Sequence, residues 1–302
     1  MAEYRKALRL NPNNELAHVN LGRALGQNSD WDGEITEERE AIRLNPDCQP
    51  AHYNLAVALT SQGDWGGAIQ GYHEALRLNP NDELAHLYLG EALSMKGDWE
   101  GMRAEERAAL RLNPQNAEAH RLLGTALANS GNWDGAVAEE REALRLIPDN
   151  ENAHVSLGFA LAGKSDWNGA MEEYRAALRL NPKNAETHRL LGAVLANQGI
   201  WDGAIQEYRA ALRLNPDDEN AHVSLGVALG GKGDWNGMMA EERVALRLNP
   251  SNARAHFRLG LALERKHNRE GALKEYRTAH ELDPQNPNYR ESYERLVRTD
   301  EH

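Results

Sequence analysis

Nine prolines, Pro12, Pro46, Pro80, Pro114, Pro148, Pro182, Pro216, Pro250 and Pro284, recur every 34 residues without insertion or deletion. All seven tryptophans, Trp31, Trp65, Trp99, Trp133, Trp167, Trp201 and Trp235, keep the same interval, and Arg269 takes their place in the last copy. A strict period of this length specifies a repeat array, in which each unit contacts mainly its neighbours and buries a face by stacking. The 302 residues therefore need no single central core, because an array grows by adding interfaces.

The segment from Glu15 to Pro46 contains two stretches in which apolar residues recur at three and four positions, separated by a short polar turn. That spacing predicts two amphipathic helices per repeat, a helical hairpin. Asp30, Asp64, Asp98, Asn132, Asp166, Asp234 and Asn268 precede the second helix, where a short polar side chain can accept free N–H groups of the first turn. The recurrent Asn-Pro stops that helix, since proline lacks a donor and pushes the preceding residue out of the helical region. Glycine or alanine follows leucine in the first helix, as at Gly22, Ala56 and Gly90, and alanine recurs in the second at Ala41, Ala75 and Ala109. Side chains this small let the two helices approach closely.

The order of these features resembles the tetratricopeptide repeat. In one copy it reads His154, Leu157-Gly158, Leu161, Ala170, Tyr174, Ala177 and Pro182, and the same template covers residues 15–286 as eight repeats. The resemblance implies an all-α, right-handed superhelical solenoid of helix-turn-helix repeats, whose first helices line a concave groove that binds peptides or proteins without catalysis. Residues 1–14 match a second helix without its first, and 287–302 match a capping helix.

Two features depart from that pattern. The aromatic of the second helix is present as Tyr4, Tyr72, Tyr174, Tyr208 and Tyr276 but is replaced by Glu38, Glu106, Glu140 and Glu242. A carboxylate at a packing position must find a partner or reach solvent, and Arg and His of adjoining helices are the expected partners. Glycine also stands two residues after every tryptophan position, from Gly33 to Gly271, although glycine in a helix costs about 1 kcal/mol relative to alanine. Above the 34-residue period, N-A-E-A-H-R-L-L-G at 116–124 returns as N-A-E-T-H-R-L-L-G at 184–192, so a pair of repeats has been duplicated.

The chemistry-bearing residues are repeat columns. Eight histidines, His18 to His256 at 34-residue spacing, stand too far apart for one metal ion, since successive repeats are roughly 10 Å apart and zinc needs several ligands about 2 Å from one point. They occupy the family's aromatic packing position. No phosphate loop, serine elbow or paired-carboxylate constellation stands outside the repeat, so neither catalysis nor a cofactor is expected. On the groove face that the resemblance implies, Arg121, Asn129, Asn152, Val155 and Phe159 are followed by Arg189, Asn197, Asn220 and Val223. Asparagine there can donate to and accept from an extended backbone while Val and Phe give shallow apolar contact, so a protein or peptide partner is expected.

Two other surfaces are candidates. The Trp column, Trp31 to Trp235, could serve lateral contacts or a sugar face, with packing the simpler reading. Tyr4 and Leu8 at one end and Tyr293 and Val297 at the other could cover each other in successive copies, a heterologous contact that builds head-to-tail oligomers or filaments. The formal net charge of -12 argues against nonspecific nucleic-acid binding, which draws on cations. No run approaches the ~18 apolar residues of a membrane span, and the charged start MAEYRKALRL is not a secretory signal. Cys48 stands alone, and a reducing cytoplasm fits that usage, as would an extracellular protein that needs no disulfide.

Overall fold

The computed structural model describes residues 1–298, all of whose regular structure is helical. Residues 299–302 of the expected capping segment lie outside the described residues. Contacts divide the chain into two compact units, Met1–Lys164 and Ser165–His302.

The first unit holds α1 (Ala2–Leu10), α2 (Glu15–Gly26), α3 (Trp31–Leu44), α4 (Gln49–Ser61), α5 (Trp65–Leu78), α6 (Glu83–Met95), α7 (Trp99–Leu112), α8 (Ala117–Asn129), α9 (Trp133–Leu146) and α10 (Glu151–Gly163). The second holds α11 (Trp167–Leu180), α12 (Ala185–Asn197), α13 (Trp201–Leu214), α14 (Glu219–Gly231), α15 (Trp235–Leu248), α16 (Ala253–Arg265), α17 (Arg269–Leu282) and α18 (Pro287–Arg298). Each unit is an all-α stack of antiparallel hairpins, the tandem helix-turn-helix arrangement of a solenoid.

Tryptophan is the first residue of α3, α5, α7, α9, α11, α13 and α15, with Arg269 in that place in α17, and the residue before it stands at the cap position. Asp30 Oδ1 accepts from the Gly33 N–H at 3.0 Å, and Asp64, Asp98, Asn132, Asp166, Asp234 and Asn268 repeat the bond. This explains the glycine column. A Cβ at Gly101 would stand 2.6 Å from Asp98 Oδ2, and one at Gly33 would stand 2.7 Å from Asp30 Oδ2, so a larger residue there would displace the cap. Helix α13 is the exception, because Ile200 occupies the cap position and supplies no side-chain bond. At Gly203 the nearest atoms to such a Cβ are the methyl groups of Leu195 and Ile200 at 3.3 and 3.4 Å.

The hairpins close on the small residues of the first helix. A Cβ at Gly192 would fall 2.8 Å from the Tyr208 ring, and one at Gly260 would fall 2.7 Å from the Tyr276 ring. In the first unit a core of Ile35, Leu59, Tyr72, Leu89 and Met102 runs between repeats, with Trp31, Trp65 and Trp99 half-buried against it. In the second, Leu259, Leu263, Tyr276 and Leu296 join α16 and α17 to the capping helix α18.

Candidate binding surfaces

The histidine column is a set of bridges. His18 Nδ1 lies 2.6 Å from Glu37 Oε2 on the next helix while its Nε2 lies 3.0 Å from the Pro12 carbonyl, and His86, His120, His188, His222 and His256 repeat both contacts. Each ring therefore ties the proline turn to the hairpin. Hydrogen bonding to Glu105 raises the pKa of His86, and Glu275 does the same for His256.

The glutamates in the aromatic column do not find the partners expected of them. Glu106, Glu140 and Glu242 are sealed from solvent, and neither carboxyl oxygen of any of the three has a hydrogen-bond partner. Glu38 accepts one bond, at 3.0 Å from Asn54 Nδ2. Arg121, an arginine on a helix adjoining Glu106 and Glu140, reaches back along its own helix to Glu118, with Nε 2.9 Å from Oε2. Burial dominates the protonation of the whole column. It pushes Glu106 and Glu140 up to about 9 and Glu38 and Glu242 up to about 8, so all four are mostly neutral acids at pH 7.

In the second unit Arg189, Asn197, Asn220 and Val223 line one open pocket of about 340 Å³ between α12, α14 and α16. Arg254 and Arg258 of α16 complete it, a pair outside the groove residues expected from the sequence, which stop before that helix. The repeat period carries the needed signal, since Arg254 and Arg258 are two before and two after the column histidine His256. Arg189 is held by Glu186 at 2.8 Å, whereas no described carboxylate lies within ion-pair distance of Arg254 or Arg258. Burial lowers the pKa of Arg258, opposed by Glu242 beneath it.

In the first unit Arg121 is half-buried in its pair with Glu118. Asn129 is exposed and donates to the Thr125 carbonyl of its own helix at 2.9 Å. Asn152 is exposed, Val155 is half-buried, and the exposed Phe159 ring meets Trp133 edge-on at 5.8 Å.

The remaining tryptophans are half-buried as well. Gly163 leaves room for the Trp133 ring and Gly231 for that of Trp201, while the Arg265 guanidinium lies 5.2 Å from the ring centre of Trp235. Trp167 is half-buried at the start of α11. At the ends, α1 buries none of its residues: Tyr4 is 38% exposed and Leu8 half-buried. Tyr293 stacks on His280 at 5.9 Å, and Val297 is half-buried beside the buried Leu296.

Family models agree with this architecture. One described as "TPR repeat" matches residues 58–97, 160–199 and 197–233, and two described as "Tetratricopeptide repeat" match 2–47, 103–151 and 253–286. No curated protein matches the sequence. Among solved structures the chain is similar to YrrB, titled "a TPR protein with an unusual peptide-binding site", at 22% identity and a TM-score of 0.54, over 63% of this chain and 97% of that one. It is similar to the APC/C hetero-tetramer Cut9-Hcn1 at 16% identity and a TM-score of 0.67, over 93% of this chain and 58% of that one. The third is pilF of Pseudomonas aeruginosa, at 20% identity and a TM-score of 0.61, over 69% and 95% of the two chains. Likeness at these identities concerns the fold.

Proposed function

The chain belongs to the tetratricopeptide repeat family, and from that membership we propose that it is a non-catalytic scaffold binding an extended, acidic protein segment in the pocket of its second unit. Such repeats generally serve protein or peptide partners. The observation that carries the reading is the convergence of Arg189, Arg254 and Arg258 on one concave surface with Asn197 and Asn220. Of the three guanidiniums only Arg189 pairs with a carboxylate, that of Glu186, and burial holds Glu242 near Arg258 mostly neutral, so the pocket is locally cationic on a chain whose net charge is -12. Guanidinium forks recognise carboxylates in a bidentate geometry, and the asparagine amides match the donors and acceptors of an extended backbone.

An acidic peptide library displayed on beads and panned with the protein tests this reading. An Arg254→Ala, Arg258→Ala variant should lose acidic ligands at least tenfold, with parent binding weakening as salt rises. Equal affinity of parent and variant would remove the proposal.

A second reading, end-to-end self-association, is favoured by α1, a helix with no buried residue whose Tyr4 and Leu8 face is left partly open. Tyr293 and Val297 on α18 offer the complementary apolar surface of a second copy.

A further inference from the structure

A cavity of about 290 Å³ opens in the first unit between α2, α3, α4 and α6, remote in sequence from the arginine pocket. Its walls are Trp31, Tyr53 and Tyr88, and the Tyr53 and Tyr88 ring centres lie 6.2 Å apart at 58°. Tyr72 stacks behind Tyr88 at 6.2 Å and holds that wall in place. Glu34 also lines the cavity. It is 4% exposed, and its Oε2 is buried without a hydrogen-bond partner.

That carboxyl is where it is because residue 26 is glycine. The Glu34 Cδ lies 2.6 Å from the point where a Cβ at 26 would stand, so no larger residue fits opposite it. The equivalent positions in the other seven repeats, 68, 102, 136, 170, 204, 238 and 272, are alanine or methionine. Met238 shows the apolar solution to the same packing problem, since its Sδ sits over Gly230 in the same way, 2.6 Å from the corresponding point. Glu34 thus fills a space that methionine fills elsewhere and adds a buried acid without a donor. An unpaired buried acid lowers stability unless something arrives to satisfy it.

We propose that this cavity receives a primary alkylammonium group, with Glu34 as its counter-ion and the rings of Trp31, Tyr53 and Tyr88 as its walls. Aromatic faces attract organic cations through their quadrupoles, and a cavity of this size suits a single aliphatic chain with a charged end. A divalent metal fits poorly, because zinc draws on several His, Cys or carboxylate ligands and calcium or magnesium on several oxygens, whereas these walls present rings around one carboxyl. Around Glu34 the charged and titratable groups are Arg23 on α2, Glu38 on α3, Tyr53 on α4 and Tyr88 on α6. Arg23 is exposed at the rim, and burial alone accounts for the rise of Glu34 to about 7. Glu34 is thus poised to release a proton when a cation enters.

The ammonium could be the side chain of a lysine in a partner segment or a free amine, and titration calorimetry separates them. The full chain is titrated at pH 7 with n-butylammonium and with the peptide acetyl-Gly-Lys-Gly-amide, using acetyl-Gly-norleucine-Gly-amide as the neutral control. Binding of either cation, at least tenfold tighter than the control and with heats that depend on buffer ionisation, is the expected result. Tighter binding of the peptide assigns the site to lysine, and equal affinity assigns it to a free amine. Glu34→Met, which reproduces the packing of Met238, should keep the fold and weaken cation binding at least tenfold. Tyr88→Leu, which removes one ring of the wall, should weaken it while the helical circular dichroism stays that of the parent. No binding of either cation at millimolar concentration, or unchanged binding by Glu34→Met, overturns the proposal. Neither result bears on the arginine pocket, whose residues and ligand charge are different.

Discussion

The carboxyl of Glu140 faces Gly124 across the hairpin of α8 and α9, with Oε1 2.7 Å from the point where any other residue at 124 would carry its Cβ. The same pairing joins Gly22 to Glu38, Gly90 to Glu106 and Gly226 to Glu242, whereas Gly192 and Gly260 face the rings of Tyr208 and Tyr276. Glutamate in this column acts as a packing side chain. It fills the hairpin in its neutral form and carries a penalty whenever it ionises.

Stability should therefore fall as pH rises from about 5 to about 9. The folded pKa values of Glu38, Glu106, Glu140 and Glu242, about 8 to 9, lie above the ordinary 4.5, so their contribution is full below 4.5 and is lost as pH passes through the folded values. His86 and His256, whose pKa values are raised from 6.5, act in the same direction once pH exceeds 6.5. Each group protonated when folded and ionised when unfolded contributes a slope of about 1.4 kcal/mol per pH unit. Urea midpoints at pH 5, 7 and 9 should show the decline, and a Glu106→Gln, Glu140→Gln variant should show a shallower one. Equal slopes in the two proteins would mean that these acids ionise freely in the fold.

The cap positions give a second expectation. Ile200→Asp should stabilise the chain by about 1 kcal/mol, because it restores at α13 the bond that seven other helices make. Gly203→Ala should be tolerated better than Gly101→Ala by about 1 kcal/mol or more. The alanine methyl at 101 meets the Asp98 carboxylate, while at 203 it meets only methyl groups that can shift by tenths of an ångström. Thermal melts of the three variants against the parent check the ranking.

Much of this was legible in the sequence, for an identifiable reason. The 34-residue period fixes where helices start because Trp, Asp-x-x-Gly and Asn-Pro each act locally through caps and breakers. What depended on side-chain reach was not legible. Arg121 turns toward Glu118 three residues back and gives Glu140 no hydrogen bond, and nothing in the spacing distinguishes these choices. The meaning of the glycine column was equally hidden, because it lies in a clash with a cap that appears only once the backbone is drawn. Glu34 was visible as the one charged residue in a column of alanine and methionine, but its burial was not.

The end-to-end reading predicts a mass that grows with concentration in sedimentation equilibrium. Apolar burial between α1 and α18 at about 25 cal/mol per Å², less the loss of freedom on association, gives weak assembly. A Tyr4→Asp, Leu8→Asp variant should remain monomeric under the same conditions. A parent protein that is itself monomeric from micromolar to millimolar concentration eliminates that reading and leaves the groove scaffold unaffected.

The uncapped start of α13 bears on motion as well as on stability. Asn197, which lines the arginine pocket, ends α12 three residues before Ile200, so the rim of that pocket runs straight into the one hairpin turn whose second helix lacks a side-chain latch. In amide hydrogen exchange the first-turn N–H groups of α13 open more readily than those of its capped counterparts, because less free energy separates them from solvent. A ligand seated against Asn197 and Arg254 thus meets one compliant edge and one firm one. The seam at Ile200 gives the second unit a place to yield as an occupant settles, without disturbing the histidine bridges on either side.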